Sequence, residues 1–222
     1  AVVANAIRPR ISIVIPAYNE ARFIGTLLER IMAVDVASLG FDREIIVVDD
    51  CSKDETAAIV ERIEGVTLVR MPVNGGKGRA VREGIARASG ALILIQDADL
   101  EYDPEDYKPM LAALLAGGAD IVYGSRYMNA GKHAQQSLAA YLGGRSLSVI
   151  AYAFTGRYLT DTVTAYKLYP RPLLVEMDLQ TTGFELDHEM TAKALARGMK
   201  IVEVPIRYFP RSRAEGKKIG LK

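Results

Sequence analysis

Short runs of β-branched and aliphatic residues bounded by turn residues recur at Ile11–Ile15, Glu44–Asp49, Val66–Met71, Ala91–Gln96 and Ala119–Tyr123. Runs that are apolar throughout predict strands buried on both faces. Between them the apolar spacing becomes that of one helix face. The helical stretches are Ala21–Ala33, with Ile24, Leu27, Leu28 and Ile31 aligned, then Asp54–Ile63, Gly78–Ala88 and Pro104–Ala116. Such alternation predicts an α/β fold, a mainly parallel, Rossmann-like sheet with helices on both faces. Ligands of open sheets of this kind bind outside the carboxyl ends of the strands.

Beyond Gly124 the pattern changes. It predicts a loop at Tyr127–Lys132, a weakly polar helical stretch at Ala134–Phe154, a strand at Val163–Tyr169, a helix at Glu185–Ala196 and a strand at Ile201–Phe209. With no internal repeat and no low-complexity linker, this reads as the second half of a single domain covering 1–222.

Composition narrows the class. Half of the residues are hydrophobic (50%) and a quarter charged (25%), as in an ordinary globular protein. The balance of 28 Lys+Arg against 27 Asp+Glu leaves a net charge of +1, so no nucleic-acid partner is expected from bulk charge. A single cysteine, Cys51, allows no internal disulfide and fits a reducing, cytoplasmic setting. No run reaches the roughly 18 apolar residues of a spanning helix. Ala1–Arg10 lacks the head and apolar run of an export signal, so the chain is expected neither to cross a bilayer nor to be exported. Whether a parent chain continues past the basic run Lys217–Lys222 is left open.

Polar residues gather at the predicted strand ends. Asp97-Ala98-Asp99, followed by Glu101, closes the fourth strand, and in an extended segment these acids share a side. Converging carboxylates suit Mg²⁺ or Mn²⁺, which keep coordination positions for phosphate oxygens. The alternative is an acidic turn before the helix at Pro104, with Asp103 as its N-cap. Asp49-Asp50-Cys51-Ser52 carries one acid more than a helix cap needs, and such an acid can accept hydrogen bonds from a base or ribose. Asn74–Gly78 is a glycine-rich turn entering a helix. It either approaches a phosphate closely or is simply a pliable loop, and it lacks the Ser/Thr of a Walker A motif. From Arg197 onward eight basic residues face two acidic ones, a segment of +6 suited to closing over a diphosphate, to lying on anionic lipid, or to plain solvation.

Taken together, Ile13-Val14-Ile15-Pro16-Ala17-Tyr18-Asn19-Glu20, Val48-Asp49-Asp50-Cys51-Ser52, Asn74-Gly75-Gly76-Lys77-Gly78, Asp97-Ala98-Asp99 and Gly124-Ser125-Arg126 resemble the inverting family 2 glycosyltransferases of the GT-A fold. The later segments Thr160-Asp161, Tyr166-Lys167-Leu168-Tyr169, Gly183-Phe184-Glu185-Leu186-Asp187 and Arg213-Ala214-Glu215-Gly216-Lys217-Lys218 look like the branch of dolichyl-phosphate mannose synthase and polyprenyl-phosphate glycosyltransferases. The resemblance implies a nucleotide-sugar half at 11–126 and an acceptor half at 127–222. It implies that Pro16, Tyr18, Glu20, Asp50 and Lys77 bind the nucleotide, and that Asp97 faces it. Asp99, with Asp97 and Glu101, would hold Mg²⁺ or Mn²⁺. Arg126 would approach the sugar or acceptor phosphate, Asp161 would stand near the acceptor, and Arg213 and Lys218 would close on phosphates. His188 receives no metal role.

The expected reaction moves a sugar from a GDP- or UDP-sugar to an acceptor, with a polyprenyl phosphate favoured. Peripheral association with the cytoplasmic face of a membrane follows from that choice. Apolar spacing over Ser146–Phe154, between Arg145 and Arg157, fits either an interfacial helix or a core helix. A phosphate acceptor is already ionised near neutrality and needs no strong base. A sugar-hydroxyl acceptor needs a carboxylate such as Asp161, Glu185 or Asp187. A non-catalytic nucleotide-sugar binding module on the same fold is the rival reading.

Overall fold

Strand β1 (Arg10–Ala17) sends Ile11, Ile13, Ile15 and Ala17 to one face of a central sheet and Val14 to the other. This is the period of two expected of a pleated strand, with both faces covered. The computed structural model describes residues 8–128 and 158–211, together with 148–149, 152–153 and 156. Strands β2 (Asp42–Asp49), β3 (Val66–Arg70), β4 (Leu92–Ile95), β5 (Ile121–Ser125), β6 (Lys167–Pro170) and β7 (Ile201–Pro205) complete the sheet in the order β3-β2-β1-β4-β6-β5-β7. β1 pairs in parallel with β2 and β4, β2 with β3, and β5 with β7. β6 runs antiparallel to both β4 and β5. The architecture is the expected α/β domain, with a mixed sheet.

Helices cover each face. Residues Ile24, Leu27, Leu28 and Ile31 of α1 (Ile24–Ala33), Val60 of α2 (Thr56–Glu61), and Met110 and Leu111 of α4 (Tyr107–Leu115) build one core layer. The opposite layer holds Ala80, Val81 and Ile85 of α3 (Lys77–Arg87), Leu174 of α5 (Arg171–Glu176), and Leu186, Met190 and Ala194 of α6 (Leu186–Ala196). The apolar face read in the sequence for α1 is therefore its buried face. Within the first layer, Gln96 Oε1 accepts hydrogen bonds from Tyr107 (2.6 Å) and Tyr166 (2.7 Å), so this buried amide oxygen is satisfied.

The structure differs from the sequence expectations mainly at element ends. The helix expected from Pro104 opens with a 3-10 turn, Pro104–Asp106, and Asp103 caps it by accepting from the Glu105 N–H at 3.0 Å. The strand expected over Val163–Tyr169 starts at Lys167, after a turn in which Thr164 Oγ1 accepts from the Tyr166 N–H. The strand from Ile201 stops at Pro205, after which the Ile206 N–H still donates to the Ser125 carbonyl at 3.0 Å. Helix α5 had no predicted counterpart, because six residues are too few to show a period. Of the predicted stretch Ala134–Phe154 only 148–149 and 152–153 are described, and they are helical; the rest, and 129–132 of the predicted loop Tyr127–Lys132, lie outside the described residues. Among the described residues no helix is long and apolar enough to cross a membrane.

Candidate active site

The carboxyl ends of β1, β2 and β4 open onto one cleft of about 450 Å³, within the size range of small-molecule sites. Its walls carry Pro16, Ala17, Tyr18 and Glu20 after β1, and Asp50 after β2. Asn74, Gly76, Lys77 and Ala80 come from the turn into α3 and its first residues, and Asp97, Ala98, Asp99 and Glu101 follow β4. Phe184 and Arg211 enter from the second half of the chain. Three of these turns pass through a residue in the left-handed region: Asn19 (φ 51), Cys51 (φ 64) and Leu100 (φ 59). Non-glycine residues there are uncommon and mark turns that the surrounding contacts over-determine.

Those contacts are local and polar. The Asn19 N–H donates to Ser52 Oγ (2.9 Å), Asn19 Oδ1 accepts from the Lys53 N–H (2.7 Å), and the Glu20 N–H donates to Thr56 Oγ1 (2.8 Å). The first two turns are thus stitched together. Asp50, buried, accepts the Gly75 N–H on one oxygen (2.7 Å) and the Gly76 N–H on the other (2.8 Å). The acid expected to meet the base therefore also clamps the glycine loop. Gly76 has φ 88, and a Cβ there would come within 2.6 Å of the Thr182 carbonyl, so only glycine lets the loop pass this close to its neighbour.

Lys77 reaches across the cleft. Its Nζ lies 2.7 Å from Asp97 and 4.0 Å from Asp187, and 5.6 Å from the centre of the Phe184 ring. Burial opposes its charge, but Asp97 and Asp187 outweigh burial and hold its pKa above the usual lysine value. Asp187 in turn receives a hydrogen bond from the fully buried Lys167 at 2.6 Å. Burial pulls the Lys167 pKa down, with Asp187 acting against it. Acid and base thus alternate from Asp97 through Lys77 and Asp187 to Lys167.

The acids after β4 are arranged differently from the extended pattern expected. Residues 97–101 form a turn, so the three carboxylates do not share one side of a strand. Asp97 faces Lys77, whereas Asp99 and Glu101 share the guanidinium of Arg211 at 3.1 and 3.6 Å. Glu20 lies 3.3 Å from the same guanidinium. Among the described residues no three acidic, histidine or cysteine side chains meet as a metal cage. Burial first, then repulsion from Asp97 and Glu101, pushes the Asp99 carboxyl up to about 7, with Arg211 opposing. These crowded carboxylates are hard oxygen donors, the ligand chemistry that a divalent ion such as Mg²⁺ or Mn²⁺ takes.

Of the other expected residues, Arg126 and Asp161 meet each other outside the cleft lining. Arg126 donates through Nε and Nη2 to the two oxygens of fully buried Asp161, each at 2.7 Å, and its guanidinium lies over the rings of Tyr127 and Tyr208. Glu185 accepts the Gly183 N–H at 2.9 Å on the surface. Arg213 and Lys218 lie outside the described residues. Sequence reasoning gave no role to Arg211 or Phe184. Arg211 appeared only as one charge of a basic segment, and no spacing ties it to acids that lie 112 positions away.

Comparison with known proteins gives the family and the fold of the chain. The family model described as "Glycosyl transferase family 2" matches residues 12–174. An uncharacterised protein of Methanocaldococcus jannaschii is 30% identical over 205 residues, covering 90% of this chain and 82% of that protein. The dolichol-phosphate mannosyltransferase of Pyrococcus furiosus is 31% identical over 213 residues, covering 94% of this chain and 59% of that longer protein. Among solved structures, glucosyl-3-phosphoglycerate synthase of Mycobacterium tuberculosis, in complex with Mn²⁺, UDP and glucosyl-3-phosphoglycerate, superposes with a TM-score of 0.69. It is 22% identical and the match covers 93% of this chain and 74% of that one.

Proposed function

The chain belongs to glycosyl transferase family 2 and is an enzyme of that class, and from this premise we propose that it transfers a sugar from a nucleoside-diphosphate sugar with the help of Mg²⁺ or Mn²⁺. One observation carries the reading: the acids after β4 stand across a single cleft from the glycine loop that Asp50 clamps. Tyr18, Glu20 and Asp50 would line the nucleoside end, and the 11–126 half would bind the donor. Asp99 with Glu101, and Asp97 beside them, would hold the divalent ion. When bound, the ion neutralises charge on the diphosphate as it leaves. That the M. tuberculosis synthase was crystallised with Mn²⁺, or with Mg²⁺, beside UDP supports the metal reading.

The chain's own residues would do the remaining work. Lys77, held charged between two acids, presents a cation where the diphosphate would lie and fixes Asp97. The 127–222 half, with Asp161, Arg213 and Lys218, would serve the acceptor and phosphates together with Arg126 at its border. Inverting transfer needs an acceptor oxygen in line with the leaving group, and a hydroxyl acceptor must lose a proton. Of the candidates Asp161, Glu185 and Asp187, Asp187 would take it, since it lies one lysine away from Asp97 and is oriented by Lys167.

For the acceptor, a hydroxyl on a non-lipid molecule comes ahead of the polyprenyl phosphate expected from sequence. The solved relative whose complex contains product carries glucosyl-3-phosphoglycerate. Polyprenyl phosphate, with peripheral membrane contact, remains the second reading because of the 31% identity to a dolichol-phosphate mannosyltransferase. A panel of UDP- and GDP-sugars with Mn²⁺ and either phosphoglycerate or polyprenyl phosphate, scored for nucleoside diphosphate release, separates the two. With a hydroxyl acceptor Asp187→Asn should lose about 10²–10⁴-fold in kcat, whereas a phosphate acceptor should leave most of the rate. No release from any donor would sink the transferase reading of this cleft.

A further inference from the structure

Arginines in this molecule pair with acids in two distinct ways. Arg126 meets Asp161 as a fork on both carboxylate oxygens at 2.7 Å, and Arg207 meets Asp106 at 3.0 and 2.8 Å through two of its nitrogens. The Arg126 pair is short and geometrically matched, while Arg207, half exposed, sets both nitrogens on one Asp106 oxygen and also reaches Asp103 at 2.9 Å. Arg211 differs. Its guanidinium makes single contacts of 3.3 Å to Glu20 and 3.1 Å to Asp99, and stands 3.6 Å from Glu101. Its Nε is buried and finds no hydrogen-bond partner. Its planar group lies 4.9 Å from the centre of the Phe23 ring, and the side chain is only 11% exposed. A guanidinium placed this way neutralises three acids without being locked to any one of them.

Neighbouring contacts deliver it there. Tyr102 and Tyr208 form an antiparallel bridge, the Phe209 N–H donates to the Glu101 carbonyl (2.8 Å), and Tyr208 Oη donates to Glu101 Oε2 (2.9 Å). The Arg211 N–H donates to Glu101 Oε1 (3.0 Å). The backbone at 208–211 is thus anchored to Glu101 independently of the guanidinium, which can leave without unseating the segment.

We propose that Arg211 is a built-in rival of the divalent ion: its guanidinium occupies the acidic cluster of Glu20, Asp99 and Glu101 until the metal displaces it. This rests on the metal reading above. Asp99 and Glu101 belong both to the Arg211 cluster and to the proposed metal ligands, and a divalent ion held on them would repel a guanidinium at these distances, so metal entry drives Arg211 out. The apparent metal affinity is then the intrinsic affinity reduced by the fraction of molecules in which the guanidinium has withdrawn. The released cation becomes available to a diphosphate arriving with the metal.

The test is Mn²⁺ binding to donor-free protein, followed by the electron paramagnetic resonance of free Mn²⁺, for wild type, R211Q, R211K and D99N. If the guanidinium occludes the site about nine-tenths of the time, R211Q should bind Mn²⁺ about tenfold more tightly, with R211K close to wild type. Equal affinity in wild type and R211Q, with D99N weakened, would overturn the rivalry and leave the metal site standing. Weaker binding by R211Q would also overturn it, making Arg211 a support of the site. Absence of Mn²⁺ binding in every variant, even with UDP or GDP added, would remove the metal reading and the proposal with it. Should R211Q fail to fold, the Arg211 Nε–H resonance of wild type, assigned with R211K, should move on addition of Mg²⁺, and an unmoved resonance contradicts displacement.

Discussion

Cys51 stands at φ 64 at the turn after β2, a conformation in which a side chain crowds its own carbonyl. Its thiol is only partly buried and its nearest polar contact is the Pro72 carbonyl at 4.0 Å, so packing is not what holds it there. The neighbouring bonds of Asp50 to the glycine loop and of Ser52 to Asn19 fix the turn instead. A β-branched side chain should fit worst. Cys51→Val should lower stability by about 1–3 kcal/mol in urea unfolding. Cys51→Gly should change it by less than about 1 kcal/mol, since relief of strain is offset by greater freedom in the unfolded chain.

Helix α6 secures the loop that backs the cleft through one carboxylate. Glu189 accepts the Gln180 N–H (2.9 Å), the Thr181 N–H (2.9 Å) and the Thr181 hydroxyl (2.6 Å), and pairs with Lys193 at 2.7 Å. The adjoining Thr182 carbonyl accepts from the Arg79 N–H at 3.1 Å, which ties this loop to the first turn of α3. Burial pushes the Glu189 carboxyl up, but Lys193, Thr181 and Gln180 together bring it down to about 2. Because the folded value lies below the unfolded one, the unfolded chain binds more protons between them, and stability rises with pH there. The contribution is complete above about pH 4.5 and is lost as pH falls toward 2. Glu189→Gln should flatten that part of a stability-against-pH curve by about 1 kcal/mol after solvent screening, measured by denaturant unfolding. An unchanged slope would show that the anchor carries no net charge energy.

Across the whole molecule, the two halves of the chain share one sheet, because β6 lies between β4 and β5 and β7 extends it beyond β5. The buried pair Arg126–Asp161 joins the end of β5 to the segment that leads into β6. Burial opposes the Arg126 charge, and Tyr102 and Asp161 overcome it and raise the pKa further. Removing one partner strands a buried guanidinium, so Asp161→Asn should cost about 3–5 kcal/mol of stability. The double variant R126M/D161N should lose clearly less than the two single losses added together, as read from a double-mutant cycle in urea. Additive losses would mean that the two side chains act separately.

The strands, the helix faces and the polar strand ends were legible in the sequence because each depends on neighbours a few positions away. Ile11, Ile13 and Ile15 declare a strand by their own spacing, and Asp103 declares a cap two residues before the N–H it binds. Family membership was legible for the same reason, since Tyr18, Asp50, Lys77 and Asp97 each sit in a short, ordered motif. Tertiary structure alone decided what spacing does not encode. It ran β6 antiparallel between two strands, paired Asp97 with Lys77 and Asp99 with Arg211, closed Asp161 onto Arg126, and set Arg211 among acids more than a hundred positions distant. Hydrophobic periodicity reports which side of an element is buried, whereas a charge finds its partner only when folding has brought separate elements together and excluded the water between them.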